Sequence, residues 1–204
     1  MTAQRGIAER LSALASSDIS DAQEGRGLLG TGLVRLSGTG TTAGRALTAE
    51  GEAGSGGAAL FAMAEAQPGD FLCVSGPGVT AYIGDLVMSE IKSRGIVGVV
   101  IDGYVRDVDA LPEMGLSCWA RGATPVATGS RAPGRALVPV TMGQTTVSTG
   151  DWIVADGDGA IAIAAANVDT VLERAEAKVV FEERVRELMA GGASLIEAFT
   201  SASE

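Results

Sequence analysis

The chain has 204 residues, 46% of them hydrophobic, and a formal net charge of −10. This hydrophobic share excludes an intrinsically disordered chain. A bilayer-spanning helix needs about 18 or more consecutive apolar residues, and the sequence contains no such run. The length suits one domain with a sizeable core, so we expect a single domain over residues 1–204.

The charge balance bears on partners and location. With 15 Lys and Arg against 25 Asp and Glu, the chain should be repelled by nucleic-acid phosphates and anionic membranes, and neither partner is expected. The first residues carry Arg and Glu within their apolar pattern, unlike a signal peptide, so a cytoplasmic location is the default expectation. Cys73 and Cys118 lie in apolar runs and are predicted to be buried free thiols.

Two absences narrow the possible chemistry. The chain has no His, which removes Ser-His-Asp and Cys-His nucleophile systems and His-ligated metal sites. It also lacks the Gly-Lys-Ser/Thr sequence of a phosphate-binding P-loop. The groups left for any catalysis are carboxylates, Arg, hydroxyls and backbone amides, with or without a hard metal ion.

Hydrophobic patterning predicts an α/β fold with mixed sheets. The predicted helices cover 5–15, a short segment from about 18, 57–66, 86–94, 168–190 and 195–199. The predicted strands cover 33–36, 45–48, 71–75, 96–101, 116–121, 136–140, 145–148, 151–155 and 160–164. Short spacings and turn signals between the last five strands favour antiparallel pairing.

The middle of the chain predicts a β-α-β unit. Asp85 is the predicted N-cap of helix 86–94, Lys92 and Arg94 occupy its last turn, and Gly95 follows as the C′ residue. Strand 71–75, this helix and strand 96–101 would form the unit with a right-handed crossover. The start of the helix and the end of the second strand then lie at one edge of the sheet.

Residues that can carry chemistry meet at this edge. Free N–H groups of Leu86 and Val87 at the start of the helix suit a carboxylate or phosphate. Arg106 can bind an anion through two hydrogen bonds, and Asp107 with Asp85 offers oxygen ligands for Mg²⁺. An Arg-Asp pair after a strand is more often a surface ion pair, and an Asp that opens a helix is more often only a cap. Spacing alone leaves both interpretations open.

Two further patterns do not predict sites. Residues 25–30 spell G-x-G-x-x-G, but a strand does not precede them and a helix does not follow, so no nucleotide cofactor is expected. Lys92 and Lys178 lie on amphipathic helices, where a solvated Lys is the usual occupant, so no Schiff-base chemistry is expected.

The central motif is Gly84-Asp85, twenty intervening residues, then Arg106-Asp107, and further characteristic segments occur at 68–70, 95–107, 120–125 and 150–156. Together they resemble the RraA-like family, which includes the regulator of ribonuclease activity A and 4-hydroxy-4-methyl-2-oxoglutarate aldolases. The resemblance covers roughly 17–190. It implies a layered α/β/β domain that forms trimers, often paired into hexamers, with the helix at 168–190 packing on a neighbouring subunit.

In the aldolases of this family, the Asp that matches Asp107 binds Mg²⁺ or Mn²⁺, and the Asp that matches Asp85 contacts the metal through water. The position of Arg106 contacts a 2-oxo acid, whose carboxylate is held at the backbone of Gly84, Leu86 and Val87. These roles are what the resemblance implies.

A Glu from the C-terminal helix of the neighbouring subunit completes the family's site. Glu182 is the best match, with Glu183 left open. Arg121 and Arg131 are candidates for a second substrate carboxylate, although surface Arg is the commoner role for both.

The resemblance implies a metal-dependent retro-aldol lyase that releases pyruvate from a 4-hydroxy-2-oxo acid and decarboxylates oxaloacetate through the same enolate. Two alternatives remain. One is a non-catalytic regulator that binds an RNA-degrading enzyme, and the other is a lyase for a different 2-oxo acid. The best-known regulator lacks the acid that matches Asp107, so the Arg106-Asp107 pair favours catalysis.

Overall fold

The structure, a computed structural model, describes residues 2–53, 55–129 and 134–203. Its helices are α1 (Thr2–Ser12), α2 (Ser16–Ala22), α3 (Gly57–Ala64), α4 (Asp85–Ser93), α5 (Leu111–Met114), α6 (Val168–Ala190) and α7 (Leu195–Ala202). Its strands are β1 (Val34–Ser37), β2 (Thr42–Glu50), β3 (Asp70–Ser75), β4 (Ala81–Ile83), β5 (Gly98–Val105), β6 (Ser117–Ala123), β7 (Arg135–Ala136), β8 (Val140–Met142), β9 (Thr145–Val147), β10 (Trp152–Ala155) and β11 (Ala160–Ile163).

A mixed sheet runs through the molecule in the order β1-β6-β5-β3-β2-β10-β11, with β4 beside the end of β5 and β7 beside the end of β2. Strands β2, β3, β5 and β6 are parallel, whereas the outer pairs are antiparallel. The carboxyl ends of the four parallel strands therefore share one edge of the sheet, where α/β folds place ligands.

Alternating side chains of the central strands build cores on both faces of the sheet. On β3, Leu72 and Val74 join the core beneath α3, α4 and α5. Phe71 and Cys73 point to the other face, where the β8–β9 hairpin covers them together with Trp119. Helices therefore cover one face of the sheet and a β-hairpin covers the other, which confirms the expected α/β/β layering.

A third core holds α1, α2 and α6 against β10 and β11. Helix α6 has the predicted bounds, and its first half buries Val168, Val171, Leu172 and Ala175. Its packing on a neighbouring subunit stays a prediction. No helix in the described part of the chain is long and apolar enough to cross a bilayer.

The structure corrects two expectations about the strands. Segment 116–121 was expected to pair antiparallel, and β6 does so with β1. On its other side β6 runs parallel to β5, because the chain returns between β5 and β6 through a 3₁₀ turn at Val108–Ala110 and the one-turn helix α5. The expected strand at 136–140 is instead the end of β7 and the start of β8, which lie in different sheets.

Asp156 fixes α2 to the sheet, and we predict a large stability loss on its replacement. Its carboxylate accepts hydrogen bonds from the Ser16 amide and hydroxyl, both at 2.7 Å, and from the Asp158 amide at 3.0 Å. Burial alone would raise the pKa of Asp156, but these hydrogen bonds to the charged form lower it overall. Asp156→Asn should reduce the free energy of unfolding by about 2–3 kcal/mol, because buried donors lose a charged acceptor.

Urea unfolding measures this loss, with Asp158→Asn, whose side chain is exposed, as the matched control. Because the folded pKa of Asp156 is depressed, its stabilisation is present above the ordinary Asp pKa and disappears as the pH falls through the folded value. The difference between wild type and Asp156→Asn should therefore shrink in acid. Equal free energies of unfolding for Asp156→Asn and Asp158→Asn at neutral pH would refute the stabilising role of Asp156.

Candidate active site

Strand β4 brings the two halves of the predicted motif together. It pairs with the last residues of β5, and the Arg106 amide donates to the Ile83 carbonyl at 3.0 Å. The residue after β4 is Gly84, which opens α4, and the residues after β5 are Arg106 and Asp107. The structure therefore places the Gly84-Asp85 and Arg106-Asp107 pairs side by side, as the spacing predicted.

Gly84 allows this close approach because it has no side chain. A Cβ there would lie 2.6 Å from Asp107 Oδ2 and 2.8 Å from Arg106 Nε. The backbone of Gly84 is extended, with φ of −129°, so the requirement is space rather than an unusual conformation. Any larger residue would push the Arg106 and Asp107 side chains away from the start of α4.

The Asp107 carboxylate joins the two segments. Its Oδ2 accepts a hydrogen bond from the Asp85 amide at 3.1 Å and lies 3.1 Å from Arg106 Nε. Asp107 also has a left-handed backbone, with φ of 58°, which is uncommon for a residue other than Gly. Backbone strain of this kind concentrates at functional sites, and here it turns the carboxylate toward α4.

Asp85 has a different local role from the one predicted. Gly84 is the N-cap and Asp85 is the first helical residue, because the carboxylate of Asp107 satisfies the amide of Asp85 from another segment. The Asp85 carboxylate accepts from the Leu86 amide at 2.8 Å. Two amides were expected to bind an anion. Of these, only the Val87 amide has no hydrogen-bond partner among the described residues. An anion would reach the Leu86 amide only after the Asp85 carboxylate turns away.

These residues line a cleft of about 370 Å³ at the carboxyl edge of the sheet. The Arg106 and Asp107 side chains are partly exposed, at 39% and 37%. The lining comprises Gly56, Leu60, Ala81, Tyr82, Gly84, Asp85, Leu86, Val87, Glu90, Arg106, Ala127 and Thr128. Five of the six predicted residues of this chain line the cleft. The sixth, Asp107, does not, although its carboxylate contacts the Asp85 amide and Arg106 Nε.

The donor set suits a hard cation that keeps most of its water. Asp107 Oδ1 and Asp85 Oδ2 accept no hydrogen bond from the residues the structure describes, so each acid has an oxygen available. Within residues 2–53, 55–129 and 134–203, no group of three His, Cys, Asp or Glu could hold a metal. Mg²⁺ binds through one or two carboxylates and retains several waters, and two acids on one chain are compatible with it.

Glu182 lies away from this cleft on the surface of α6. Its carboxylate pairs with Lys178 at 2.7 Å and with Arg186 at 2.9 Å. Lys178 is also held by Asp18 and Asp21, at 2.9 and 3.1 Å. Its pKa is raised, because these ion pairs outweigh the opposing effect of burial. The entry of Glu182 into a neighbouring subunit's site stays a prediction.

The two Arg candidates for a second carboxylate gain no support. Arg121 is paired with Asp102, whose other oxygen accepts from the Gly143 amide, and it does not line the cleft. Arg131 lies outside the described residues. Sequence reasoning missed Glu90, which lines the cleft one helical turn after Leu86. Its spacing of four residues from Leu86 on a predicted helix could have identified it.

Gly84→Ala should impair the site without unfolding the protein. The added Cβ would meet the side chains of Arg106 and Asp107, which can move aside, and the extended backbone of Gly84 is one that Ala also adopts. We therefore expect the free energy of unfolding to change by less than about 1 kcal/mol. Displaced Arg106 and Asp107 side chains should lower turnover roughly tenfold or more. Gly69→Ala is not a suitable control, because Gly69 has φ of +95°. Gly32→Ala is suitable, because no atom of the described residues lies within 4 Å of a Cβ there. Unchanged turnover in Gly84→Ala would refute the close-approach requirement.

The chain is similar in sequence to a known family and to named proteins. The sequence model of the RraA-like family, described as Aldolase/RraA, matches residues 16–162. A protein of Halalkalibacterium halodurans named "Putative 4-hydroxy-4-methyl-2-oxoglutarate aldolase" is 32% identical over 183 residues, which cover 89% of this chain and 87% of that protein. A Shewanella oneidensis protein of the same name is 38% identical over 98 residues, 46% of this chain, and the match spans 60% of that protein's length.

Solved structures show the same fold. Streptomyces coelicolor RraAS2, described as an unusual member of the RNase ES inhibitor RraA protein family, superimposes with a TM-score of 0.80 at 29% identity. That match covers 89% of this chain and 96% of RraAS2. An uncharacterized protein from Pseudomonas syringae pv. tomato gives a TM-score of 0.86 at 22% identity, over 97% of this chain and 94% of that one.

Proposed function

This chain belongs to the RraA-like family, and we propose that it is a divalent-metal-dependent lyase that cleaves 4-hydroxy-2-oxo acids to pyruvate by a retro-aldol reaction. The observation that carries the proposal is the contact of the Asp107 carboxylate with the first amide of α4, at 3.1 Å, beside Arg106. Arg106, Asp85 and the Val87 amide thereby line one cleft, and the Asp107 carboxylate contacts the two segments that supply them. The names of the relatives support an aldolase.

Substrate binding would use the charges at the start of α4. The Arg106 guanidinium would hold the 2-oxo acid head, and the free Val87 amide would donate to its carboxylate. Asp107 and Asp85 would hold Mg²⁺ or Mn²⁺. When bound, the metal would stabilise the negative charge that develops on the keto oxygen.

Cleavage then requires proton transfers at two atoms. The proton of the 4-hydroxyl passes to a base, for which we propose a water oriented by the Asp85 carboxylate. The C3–C4 bond breaks and C4 becomes a carbonyl carbon. The electron pair of the broken bond forms the enolate of pyruvate. A proton returned to C3 completes pyruvate, and Arg106 lowers the energy of the enolate by its positive charge.

The two Lys of the chain are poorly placed for a Schiff-base alternative. Lys178 is enclosed by acids on α2 and α6, and its raised pKa keeps it protonated. Lys92 is exposed in the last turn of α4 and does not line the cleft. Their positions support metal rather than imine chemistry.

Loss of CO₂ from oxaloacetate gives the same pyruvate enolate, so oxaloacetate decarboxylation tests the proposal independently of the aldol substrate. We expect pyruvate formation well above the rate with Mg²⁺ alone, and inhibition by oxalate, a planar mimic of the enolate. Oxaloacetate turnover equal to the metal-only rate would count against an enolate-forming site.

We also propose a homo-oligomer, a trimer or a dimer of trimers, as the working form. The last two helices expose apolar side chains, with Val180 69% and Ile196 79% accessible and Phe199 45% accessible. Exposed apolar groups gathered on two packed helices favour association. Light scattering of the purified protein measures its mass.

A protein-binding regulator is the second candidate. It is favoured by the likeness to RraAS2, a member of an RNase inhibitor family, and by the net charge of −10, which suits a basic partner. This candidate predicts no metal-dependent pyruvate release and a partner complex that weakens as salt is raised.

A further inference from the structure

Tyr82 connects the wall of the cleft to the ends of β2 and β3. It is the middle residue of β4, is 4% exposed, and lines the cleft. Its hydroxyl donates to the Pro77 carbonyl at 2.5 Å and lies 3.2 Å from the Glu52 carbonyl. Pro77 and Glu52 line a second cavity, of about 430 Å³, and neither lines the cleft. The Tyr82 side chain therefore reaches from the cleft wall to the segments that follow β2 and β3.

The aromatic ring of Tyr82 lies between two glycines. A Cβ on Gly51 would overlap one edge of the ring, at Cε1, and a Cβ on Gly76 would lie 2.6 Å from the opposite edge, at Cδ2. Neither glycine has a positive φ, so both positions need space for the ring rather than backbone freedom. The Gly51 amide donates to the Ser75 carbonyl at 2.8 Å, and the Gly76 amide donates to the Asp102 carbonyl at 3.2 Å. The ring is therefore enclosed by backbone that is itself hydrogen-bonded to β3 and β5.

The hydroxyl of Tyr82 adds polar contacts to this packing. Burial raises the pKa of Tyr82, so the hydroxyl stays protonated and acts as a hydrogen-bond donor. The carbonyls beside it, of Pro77 and Glu52, belong to the segments after β3 and β2. A Phe at position 82 would keep the packing between the glycines and leave both carbonyls without this donor.

Strand β4 depends on such an anchor because it is short and irregularly paired. It has three residues, and its register with β5 shifts between Ala81 and Ile83. Gly84 follows directly, with no room for a side chain beside Arg106 and Asp107. A displacement of β4 would therefore move the start of α4 relative to both side chains. Misplacement of a reacting group by about 1 Å can lower a rate about a hundredfold.

We infer that Tyr82 is a positioning residue of the site. Its enclosed ring and its hydroxyl fix β4, so that the Asp85 carboxylate and the Val87 amide keep their places beside Arg106 and Asp107. The inference rests on the proposed lyase function. Tyr82 acts through β4 rather than on the reacting atoms, because its hydroxyl is engaged with the Pro77 carbonyl.

Two replacements separate the role of the ring from that of the hydroxyl. Tyr82→Phe keeps the ring and loses the hydroxyl, whereas Tyr82→Leu loses both. We expect kcat/KM for oxaloacetate to fall about threefold or more in Tyr82→Phe and about thirtyfold or more in Tyr82→Leu. Tyr104→Phe is the matched control, because Tyr104 lies on β5 and does not line the cleft, and it should leave kcat/KM unchanged.

Inhibition by oxalate distinguishes positioning from a loss of folded protein. A smaller folded fraction lowers kcat but leaves the inhibition constant of oxalate unchanged, because that constant describes the folded molecules alone. A displaced start of α4 weakens the binding of this enolate mimic. We therefore expect the inhibition constant to rise about threefold or more in Tyr82→Phe and to match wild type in Tyr104→Phe.

Amide hydrogen exchange gives a readout that does not need turnover. A peptide covering residues 81–88 contains the Asp85 amide, which donates to Asp107. This peptide should exchange faster in Tyr82→Leu than in wild type, because the anchor of β4 is lost, whereas peptides from α6 should exchange alike.

The outcomes separate the positioning inference from the lyase proposal. Wild-type kcat/KM in both Tyr82 variants, or a lower kcat with an unchanged inhibition constant for oxalate, would overturn the positioning inference and leave the lyase function standing. Unchanged exchange of the 81–88 peptide in Tyr82→Leu would overturn the anchoring of β4. No pyruvate from the wild-type protein would overturn the lyase function itself.

Discussion

Asp107→Asn is expected to lower pyruvate-forming turnover roughly a hundredfold or more while leaving the fold intact. Asn keeps the shape of the side chain and an oxygen that can accept from the Asp85 amide, so the start of α4 should stay in place. It removes the negative charge that pairs with Arg106 and that we propose as the principal metal ligand. The loss should therefore appear in catalysis and metal affinity rather than in stability.

The matched control is Asp109→Asn, which removes an exposed acid two residues further along the same turn. Steady-state kinetics, Mn²⁺ binding by calorimetry and thermal unfolding should be measured on both variants. We expect weakened Mn²⁺ binding and unchanged unfolding for Asp107→Asn, with wild-type behaviour for Asp109→Asn. Turnover of Asp107→Asn close to that of wild type would remove Asp107 from the site.

Arg106→Ala should cost a comparable factor, about a hundredfold in kcat/KM, through loss of a charged anchor for the 2-oxo acid head. Arg106→Lys should recover only a small part of this, because an ammonium cannot reproduce two parallel hydrogen bonds. Arg184→Ala on α6, whose guanidinium pairs with Glu187 on the surface, is the control. Added guanidinium ion should partly restore the kcat/KM of Arg106→Ala, and we expect it to leave the kcat/KM of Asp107→Asn unchanged.

Near-normal kcat/KM for Arg106→Ala would mean that the carboxylate is held elsewhere. Loss of the folded state in this variant is not expected. The Arg106 side chain is partly exposed, and exposed ion pairs such as that with Asp107 contribute little to stability. Circular dichroism and light scattering on the same samples check that the variant keeps its folded state.

The local pattern of hydrophobic residues predicted the long helices and strands well. Helix α6 has an apolar stripe with a helical period and ends at Gly191-Gly192, so its bounds follow from sequence. Strand β3 is a short apolar run between a turn and a glycine, and its two faces fill two cores. Strand β4 was missed because three residues carry no periodicity, and its extended form comes from pairing with the end of β5.

The meeting of the two motif segments was predictable from sequence, but the hydrogen bonds at the candidate site were not. The β-α-β topology brings Asp85 and Arg106-Asp107 to one edge whatever the details. Which residue caps α4 depends on Asp107, 22 positions later, whose carboxylate takes the first amide and leaves Gly84 as the cap. The hydrogen bond from the Leu86 amide to the Asp85 carboxylate likewise arises only in the folded chain.

The most direct test of the lyase proposal is pyruvate release from 4-hydroxy-4-methyl-2-oxoglutarate before and after removal of metal. The purified protein is assayed as isolated, after treatment with EDTA, and after Mg²⁺ is added back in excess. We predict turnover that EDTA abolishes and Mg²⁺ restores, at a rate far above Mg²⁺ alone. Turnover that persists in EDTA would contradict the metal dependence, and no rate above the Mg²⁺ background would contradict the lyase.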